Sequence, residues 1–302
     1  MGGLFGVAAT SDCATDLYYG TDYHSHLGTR RGGMAVGNGT GIQRAIHNIE
    51  NTYFRTKFEA ELNRFHGGLG IGVISDSDSQ PLVIGSHLGT FAIVTVARIT
   101  NIAALTERAY GRHQQFSEST SGAINPTELV AALICQERTF EDGIRQAQEQ
   151  IKGSCTLLLL TEQGIYAARD RRGRTPLIIG QKPDGFAVAS ESCAFPNLGF
   201  ETRQEVGPGE IVFMTPDGIA QHRPPLDAMQ VCSFLWVYYG YPASSYEGIN
   251  VESVRYRCGC ALGQRDDITP DYVAGIPDSG IGHALGYAHC KQIPYKRPYV
   301  KY

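Results

Sequence analysis

Asn125-Pro126-Thr127-Glu128-Leu129-Val130, then Thr139-Phe140-Glu141, then Cys155-Thr156-Leu157-Leu158-Leu159-Leu160 span the passage in which the chain changes its hydrophobic period. Asn125 suits an N-cap, Pro126 the first helical position, and Glu128 sets a carboxylate at N3 ahead of Leu129, Val130, Leu133 and Ile134 at helical spacing. A helix therefore starts here. Thr139 caps a second, with Phe140, Ile144, Ala147 and Ile151 as its apolar face, so two adjacent antiparallel helices are expected. From Cys155 the pattern becomes β. Residues 155–160, 165–169, 176–179 and 186–190 read as short strands joined by Glu-Gln-Gly, Arg-Arg-Gly and Pro-Asp-Gly turns, which predicts an antiparallel meander.

Upstream, residues 3–9 and 68–74 read as strands and 87–99 holds another apolar, β-branched run, whereas 42–65 is mixed and has no firm period. Strands, then helices, then strands define an α+β domain with helices segregated onto sheet faces. Pro216-Asp217-Gly218 and Pro224-Pro225 close it, and past Leu226 the chain turns aromatic over 234–241. Tyr272-Val-Ala-Gly-Ile-Pro, Asp278-Ser-Gly-Ile-Gly and residues 283–290 then read as strand, tight loop and helix, half of a βαβ unit. About 75 residues with one such unit do not close a doubly wound sheet, so a second domain that is truncated or packs onto something else is expected.

Composition narrows the function classes. The chain has 302 residues, 26 Lys plus Arg against 30 Asp plus Glu, and 42% hydrophobic residues, the profile of an ordinary globular protein. The net charge of −4 offers no basic field for a nucleic acid or an anionic membrane. No apolar run approaches the roughly 18 residues of a membrane span and no basic segment precedes an apolar one at the start, so neither nucleic acid nor membrane is expected as a partner and a cytoplasmic location is. Eight scattered cysteines are expected to be reduced and mostly buried. Glycine is in excess, 36 residues. Gly67-Gly-Leu-Gly-Ile-Gly72 invites reading as a phosphate loop, but the run continues as strand and no Gly-Lys-Ser/Thr follows.

Gly3-Leu-Phe-Gly-Val, Arg169-Asp-Arg-Arg-Gly-Arg-Thr-Pro-Leu, Ala189-Ser-Glu-Ser-Cys-Ala, Pro208-Gly-Glu-Ile-Val and Cys232-Ser-Phe-Leu-Trp-Val-Tyr-Tyr lie in order over more than 200 residues. Together they resemble the glutamine phosphoribosylpyrophosphate amidotransferase family, whose members make phosphoribosylamine at the first step of purine synthesis. The resemblance implies a four-layer αββα N-terminal-nucleophile-hydrolase-like sandwich over 1–226, followed over 227–302 by the N-terminal part of an α/β phosphoribosyltransferase-like domain. It also implies a reaction that this sequence fails to support. In the family an N-terminal cysteine attacks the glutamine amide, and the matching position is Gly2, which has no side chain. The arginine that clamps the glutamine carboxylate corresponds to Ser75, and the Asn-Gly pair of the oxyanion hole to Val96-Ala97. The Ser-Asp-Ser/Thr-Glu segment becomes Thr120-Ser-Gly-Ala-Ile-Asn-Pro, and only Arg31-Gly32 of the glutamine loop remains. A trapping substitution would change one position; four changed together imply an inactive glutaminase site.

The remaining expectations follow from the same resemblance. Asp278-Ser279-Gly280 matches the loop that presents amides to pyrophosphate. Phosphoribosylpyrophosphate would be the small-molecule partner of the full-length protein, with Mg2+ only where the whole transferase domain is present, no cofactor in this chain, and self-association into a homo-oligomer. Cys232 falls where some members supply one iron–sulfur ligand, although a single cysteine makes no cluster. Cys13 stands at the distance of a propeptide nucleophile but lacks the Gly-hydrophobic-Phe-Gly that should follow. Tyr23-His24-Ser25-His26 alternates like a strand, and its two histidines lack acidic or thiol partners nearby in sequence, so a metal site is not expected there. Cys258 and Cys260 read as packing residues, and Arg169, Asp170 and Glu191 as a structural ion-pair set. The alternative reading is a non-catalytic ligand-binding or regulatory module that uses the old glutamine pocket.

Overall fold

A computed structural model of the chain describes residues 2–117, 119–120 and 123–300. The chain forms two compact units, one of 1–190 with 194–231 and the other of 191–193 with 232–302.

The first unit is built on two antiparallel sheets, with strands numbered along the chain. One contains β1 (Gly2–Ala9), β2 (Arg31–Gly37), β3 (Ile42–Asn48), β4 (Leu69–Ser75), β11 (Ile178–Lys182), β12 (Gly185–Ala189) and β13 (Glu201–Glu205), in the order β13-β11-β12-β1-β4-β2-β3. The other contains β5 (Leu82–Ser86), β6 (Gly89–Ile99), β9 (Gly153–Leu160), β10 (Ile165–Ala168), β14 (Ile211–Thr215) and β15 (Gly218–Arg223), ordered β15-β14-β10-β9-β6-β5. Period-two alternation gives each strand two faces. On β9, Leu158 and Leu160 enter the core between the sheets, where Leu4, Ala8, Val73, Val94 and Val188 meet them. Leu157 and Leu159 point the other way, into a second core with Phe91, Ile93, Leu129, Leu133 and Ile144. That second core holds α4 (Pro126–Ile134) and α5 (Phe140–Gln150) on the outer face, beside α3 (Ile102–Gly111); α1 (Ala14–Asp22) packs on β1 and β4 with α2 (Phe54–Phe58) beside it. Helix, sheet, sheet and helix thus form four layers.

Both helix caps form as the sequence predicts. Asn125 accepts from the Thr127 amide at 2.9 Å, and Thr139 from that of Asp142 at 3.1 Å. Other expectations need correction. The four strands after Cys155 are two hairpins in different sheets, because residues 169–177 carry the chain across the sandwich between β10 and β11. Arg169 donates there to the Val206 and Gly173 carbonyls, both at 2.7 Å, while Asp170 accepts from Thr175 and Arg172 amides. Tyr23–His26 is no strand but the turn that closes α1, in which the His24 amide bonds the Thr21 carbonyl at 3.0 Å. The units part after Val231 rather than at 226, because residues 226–230 return to the first unit: the Leu226 amide bonds the Pro208 carbonyl and that of Gln230 the Arg172 carbonyl.

In the second unit a π-helical turn, Leu235–Tyr239, and a small hairpin of β16 (Ser245–Tyr246) and β17 (Ile249–Asn250) precede α6 (Val251–Arg265) and α7 (Gly280–Lys291). The strand expected over 272–277 is reduced to a parallel bridge between Val273 and Tyr295, on either side of α7, so the βαβ crossover exists with single-residue strands. In the first unit β7 (Ser119–Thr120) pairs antiparallel with β8 (Ala123–Ile124). Among the described residues no helix is long and apolar enough to cross a membrane. All eight cysteines are free; only Cys13 and Cys155 are buried and Cys232 is exposed, which corrects the expectation of mostly buried thiols.

Candidate functional site

Four of the residues singled out by sequence meet at one end of the sandwich. Gly2 on β1 lies opposite Ser75 on β4, and Ser75 lies opposite Arg31 on β2. A Cβ placed on Gly2 would fall 3.2 Å from Val96 Cγ2 on β6 and 2.6 Å from the Ile74 carbonyl oxygen. The Ser75 hydroxyl, nearly buried, accepts from the amides of Ser77 at 3.2 Å and Asp78 at 3.3 Å, so it holds its own turn rather than offering a charge-matched partner to a ligand. Val96 pairs with Thr156 in regular strand and presents an isopropyl group; Ala97, beside it, is exposed. Gly32 is covered by Phe54, whose ring carbon would be 2.7 Å from a Cβ there. Arg31 is the one cationic side chain of the four positions.

The loop after Ser75 was not anticipated and shapes this end of the sheet. Gln80 is buried and bonds the Thr95 backbone twice: its Oε1 accepts from the amide at 2.6 Å and its Nε2 donates to the carbonyl at 3.2 Å. Asn125 Nδ2 donates to the Ser79 carbonyl at 3.1 Å, and the Thr95 and Thr127 hydroxyls are 2.7 Å apart. Gly33 permits this arrangement, since a Cβ there would overlap the Gln80 carbonyl oxygen at 1.8 Å. The only sequence signal for it was the run of turn formers from Ser75 to Pro81. Ser121 and Gly122 of the altered Ser-Asp-Ser/Thr-Glu segment lie outside the described residues.

Cys13 does not belong to this site. Its sulfur lies near Gly70, which pairs with Val7, five residues and about 16 Å along β1 from Gly2. Burial, reinforced by Asp12 and Asp16, pushes its thiol up to about 12, so it is held protonated. His24 is buried with Nδ1 2.8 Å from the Gly20 carbonyl, and His26 is exposed; they do not converge. The third set is divided between two places. Arg169 and Asp170 serve the crossover loop described above. Glu191 groups with the second unit, where its carboxylate accepts from Tyr246 Oη at 2.7 Å, Ser244 Oγ at 2.9 Å and Cys193 Sγ at 3.4 Å. Burial and this carboxylate hold the Tyr246 phenol well above its ordinary range.

In the second unit Asp278, Ser279 and Gly280 form the turn that opens α7, with the Gly280 amide bonded to the Ile276 carbonyl at 3.0 Å and that of Ile281 to the Asp278 carbonyl at 3.2 Å. Ser279 is the N-cap residue, and it makes no side-chain cap bond. Cys260 donates to the Gly286 carbonyl of α7 at 3.3 Å, in keeping with a packing role. The residues present do not fit an iron–sulfur cluster. Among the described residues no three His, Cys, Asp or Glu side chains are grouped to hold a metal, and Cys232 is exposed.

The sequence profile of a glutamine amidotransferase domain matches residues 66–197. That match and the paired sheets with helices on both outer faces define a protein of the glutamine amidotransferase class with an N-terminal-nucleophile-hydrolase-type fold. The amidophosphoribosyltransferase of Bacillus subtilis is 29% identical over 99% of this chain and 64% of its own length, and that of Methanocaldococcus jannaschii 28% over 100% and 69%. The solved structure of the B. subtilis glutamine phosphoribosylpyrophosphate amidotransferase, complexed with ADP and GMP, superposes with a TM-score of 0.89 at 29% identity, covering 98% of this chain and 65% of that one. A second structure, of an allosteric regulatory enzyme of purine biosynthesis, gives 0.90, with 99% and 66% covered. The chain is thus similar to amidophosphoribosyltransferases over nearly its whole length, and it spans about two-thirds of the length of these relatives.

Proposed function

We propose that the first unit is a glutaminase-type sandwich without glutamine hydrolysis, serving as a scaffold or regulatory domain for phosphoribosyl transfer. The observation that carries this is the meeting of Gly2, Ser75 and Val96 at one place. Acyl transfer from glutamine needs a nucleophile, a donor aimed at the developing oxyanion and a partner for the substrate carboxylate. Gly2 supplies no nucleophile, Val96 no donor and Ser75 a neutral hydroxyl already engaged. In this reading Asp278, Ser279 and Gly280 are the residue of a pyrophosphate loop, and residues 232–302 the first part of a phosphoribosyltransferase domain. Phosphoribosylpyrophosphate and Mg2+ then bind only where the rest of that domain is supplied, with free ammonia or a separate amidase as the nitrogen source.

The test is glutamate release from glutamine, together with labelling by the glutamine-like electrophile diazo-oxo-norleucine. No turnover above buffer and no adduct are expected. A stoichiometric adduct on the N-terminal peptide, or on one beginning at Cys13, would overturn the proposal.

A further inference from the structure

Helices α6 and α7 touch through their backbones. A Cβ on Gly259 would fall 1.9 Å from the His283 carbonyl oxygen, and one on Gly286 would fall 2.0 Å from that of Tyr256, so no layer of side chains separates them. Two thiols lie in this seam. Cys260 of α6 donates to the Gly286 carbonyl of α7 at 3.3 Å. By helix geometry the same carbonyl accepts the amide of Cys290, four residues on, at about 2.9 Å, which brings the Cys260 sulfur within about 6 Å of the Cys290 nitrogen. Cys290 faces α6: its Cβ would be 3.2 Å from a Cβ on Gly263, one turn beyond Cys260. Tyr256, one turn before Cys260, has a phenol raised by loss of hydration and then by Cys260 and Cys290. A disulfide joins Cα atoms about 4.4–6.8 Å apart, a span that facing turns of touching helices supply.

We propose that Cys260 and Cys290 are a reversible redox pair that closes to a disulfide across the α6–α7 seam. The oxidant is a low-molecular-weight disulfide such as oxidised glutathione. One cysteine, as thiolate, attacks a sulfur of that disulfide, forms a mixed disulfide and expels one thiolate; the second cysteine thiolate then displaces the other. Two protein thiols become one disulfide, the reagent is reduced to two thiols, and the two protons given up by the cysteines end on those thiols. The link fixes α7, which begins at the 278–280 turn, to α6. Cys258, two residues from Cys260, projects about 200° away around α6 and takes no part.

The test is titration of the native protein with oxidised and reduced glutathione, followed by alkylation and peptide mapping. Cys258 and Cys260 share the tryptic peptide 258–265, so mapping uses Cys258→Ser. Expected are loss of two alkylatable thiols together, a cross-link between peptides 258–265 and 266–291, a higher thermal midpoint, and full reversal by dithiothreitol. Cys290→Ser should instead retain a glutathione adduct on Cys260. Independent alkylation of Cys260 and Cys290 throughout the titration, or a link formed by Cys258 in the unmutated chain, would overturn the proposal.

Discussion

Gly2→Cys supplies the nucleophile that glutamine hydrolysis at this position requires, and on the proposed reading the expected result is still no glutaminase. The new Cβ meets the Ile74 carbonyl oxygen at 2.6 Å and Val96 Cγ2 at 3.2 Å, so the start of β1 must shift before the thiol can occupy the seam. With the thiol in place, a tetrahedral intermediate would face the Val96 isopropyl group, and one missing oxyanion donor costs about 10²–10³ in rate, about 2.7–4 kcal/mol. Ser75 in place of a guanidinium forfeits a charged hydrogen bond to the substrate carboxylate, about 1.5–3 kcal/mol, or roughly a further 10–10². The two losses multiply to roughly 10³–10⁵ below an intact site. Glutamate release is measured by a coupled dehydrogenase assay, with the B. subtilis relative run in parallel and the N-terminal mass checked for removal of Met1. Gly2→Cys is compared with Gly2→Cys/Ser75→Arg/Val96→Asn. Turnover by the single variant within tenfold of the relative would refute the roles given to Ser75 and Val96.

Gly33→Ala should destabilise the first unit by about 3 kcal/mol, because its Cβ overlaps the Gln80 carbonyl oxygen at 1.8 Å and Pro81 Cδ at 2.6 Å and so drives the loop off β2. A shift in urea midpoint equivalent to under about 0.5 kcal/mol would show that the 75–81 loop does not lie there. Trp236, the single tryptophan, is 8% exposed, donates to the Ile249 carbonyl at 2.9 Å and meets the Tyr246 ring edge-on. Its emission should be blue-shifted and poorly quenched by iodide; red, fully quenchable emission would mean that residues 232–302 are not folded as described.

What could be read from the sequence was local. Asn125 and Thr139 cap α4 and α5 through bonds that span two and three residues, and the β run from Cys155 to Leu160 lies within β9. The division of the strands between two sheets was not readable. The turn at Arg171-Arg172-Gly173 looks like any hairpin turn, and what makes it a crossover is Arg169 reaching Val206, 37 residues away. Helix α1 was missed for a similar reason: its Ala14–Asp22 sequence has a weak apolar stripe, and it forms against β1 and β4, with Leu17 and Tyr18 buried. The candidate positions came from the family resemblance, motif by motif. Their meeting from four strands, the use of the Ser75 hydroxyl in its own turn and the Gln80 bonds to Thr95 are long-range facts that no local pattern encodes.

On the proposed reading, the sandwich keeps its fold without glutaminase chemistry because the two draw on different residues. The inter-sheet core rests on Leu4, Val73, Val94, Leu158 and Val188 and the outer core on Phe91, Leu129, Ile144 and Leu159; Gly2 and Ser75 belong to neither, and Val96 only borders the first. The candidate site lies where β1 begins and β4 ends, so Gly2, Ser75 and Val96 take nothing from the packed middle of either sheet. Such side chains ordinarily cost stability, because they must be held partly desolvated and oriented without full partners. Val96 adds apolar contact against the inter-sheet core instead, and Ser75 satisfies two amides of its own loop. It follows that Val96→Asn, the change that would restore an oxyanion donor, should lower the stability of the first unit while yielding no activity alone, since it sets an amide at the margin of an apolar seam with Gly2 still lacking a nucleophile.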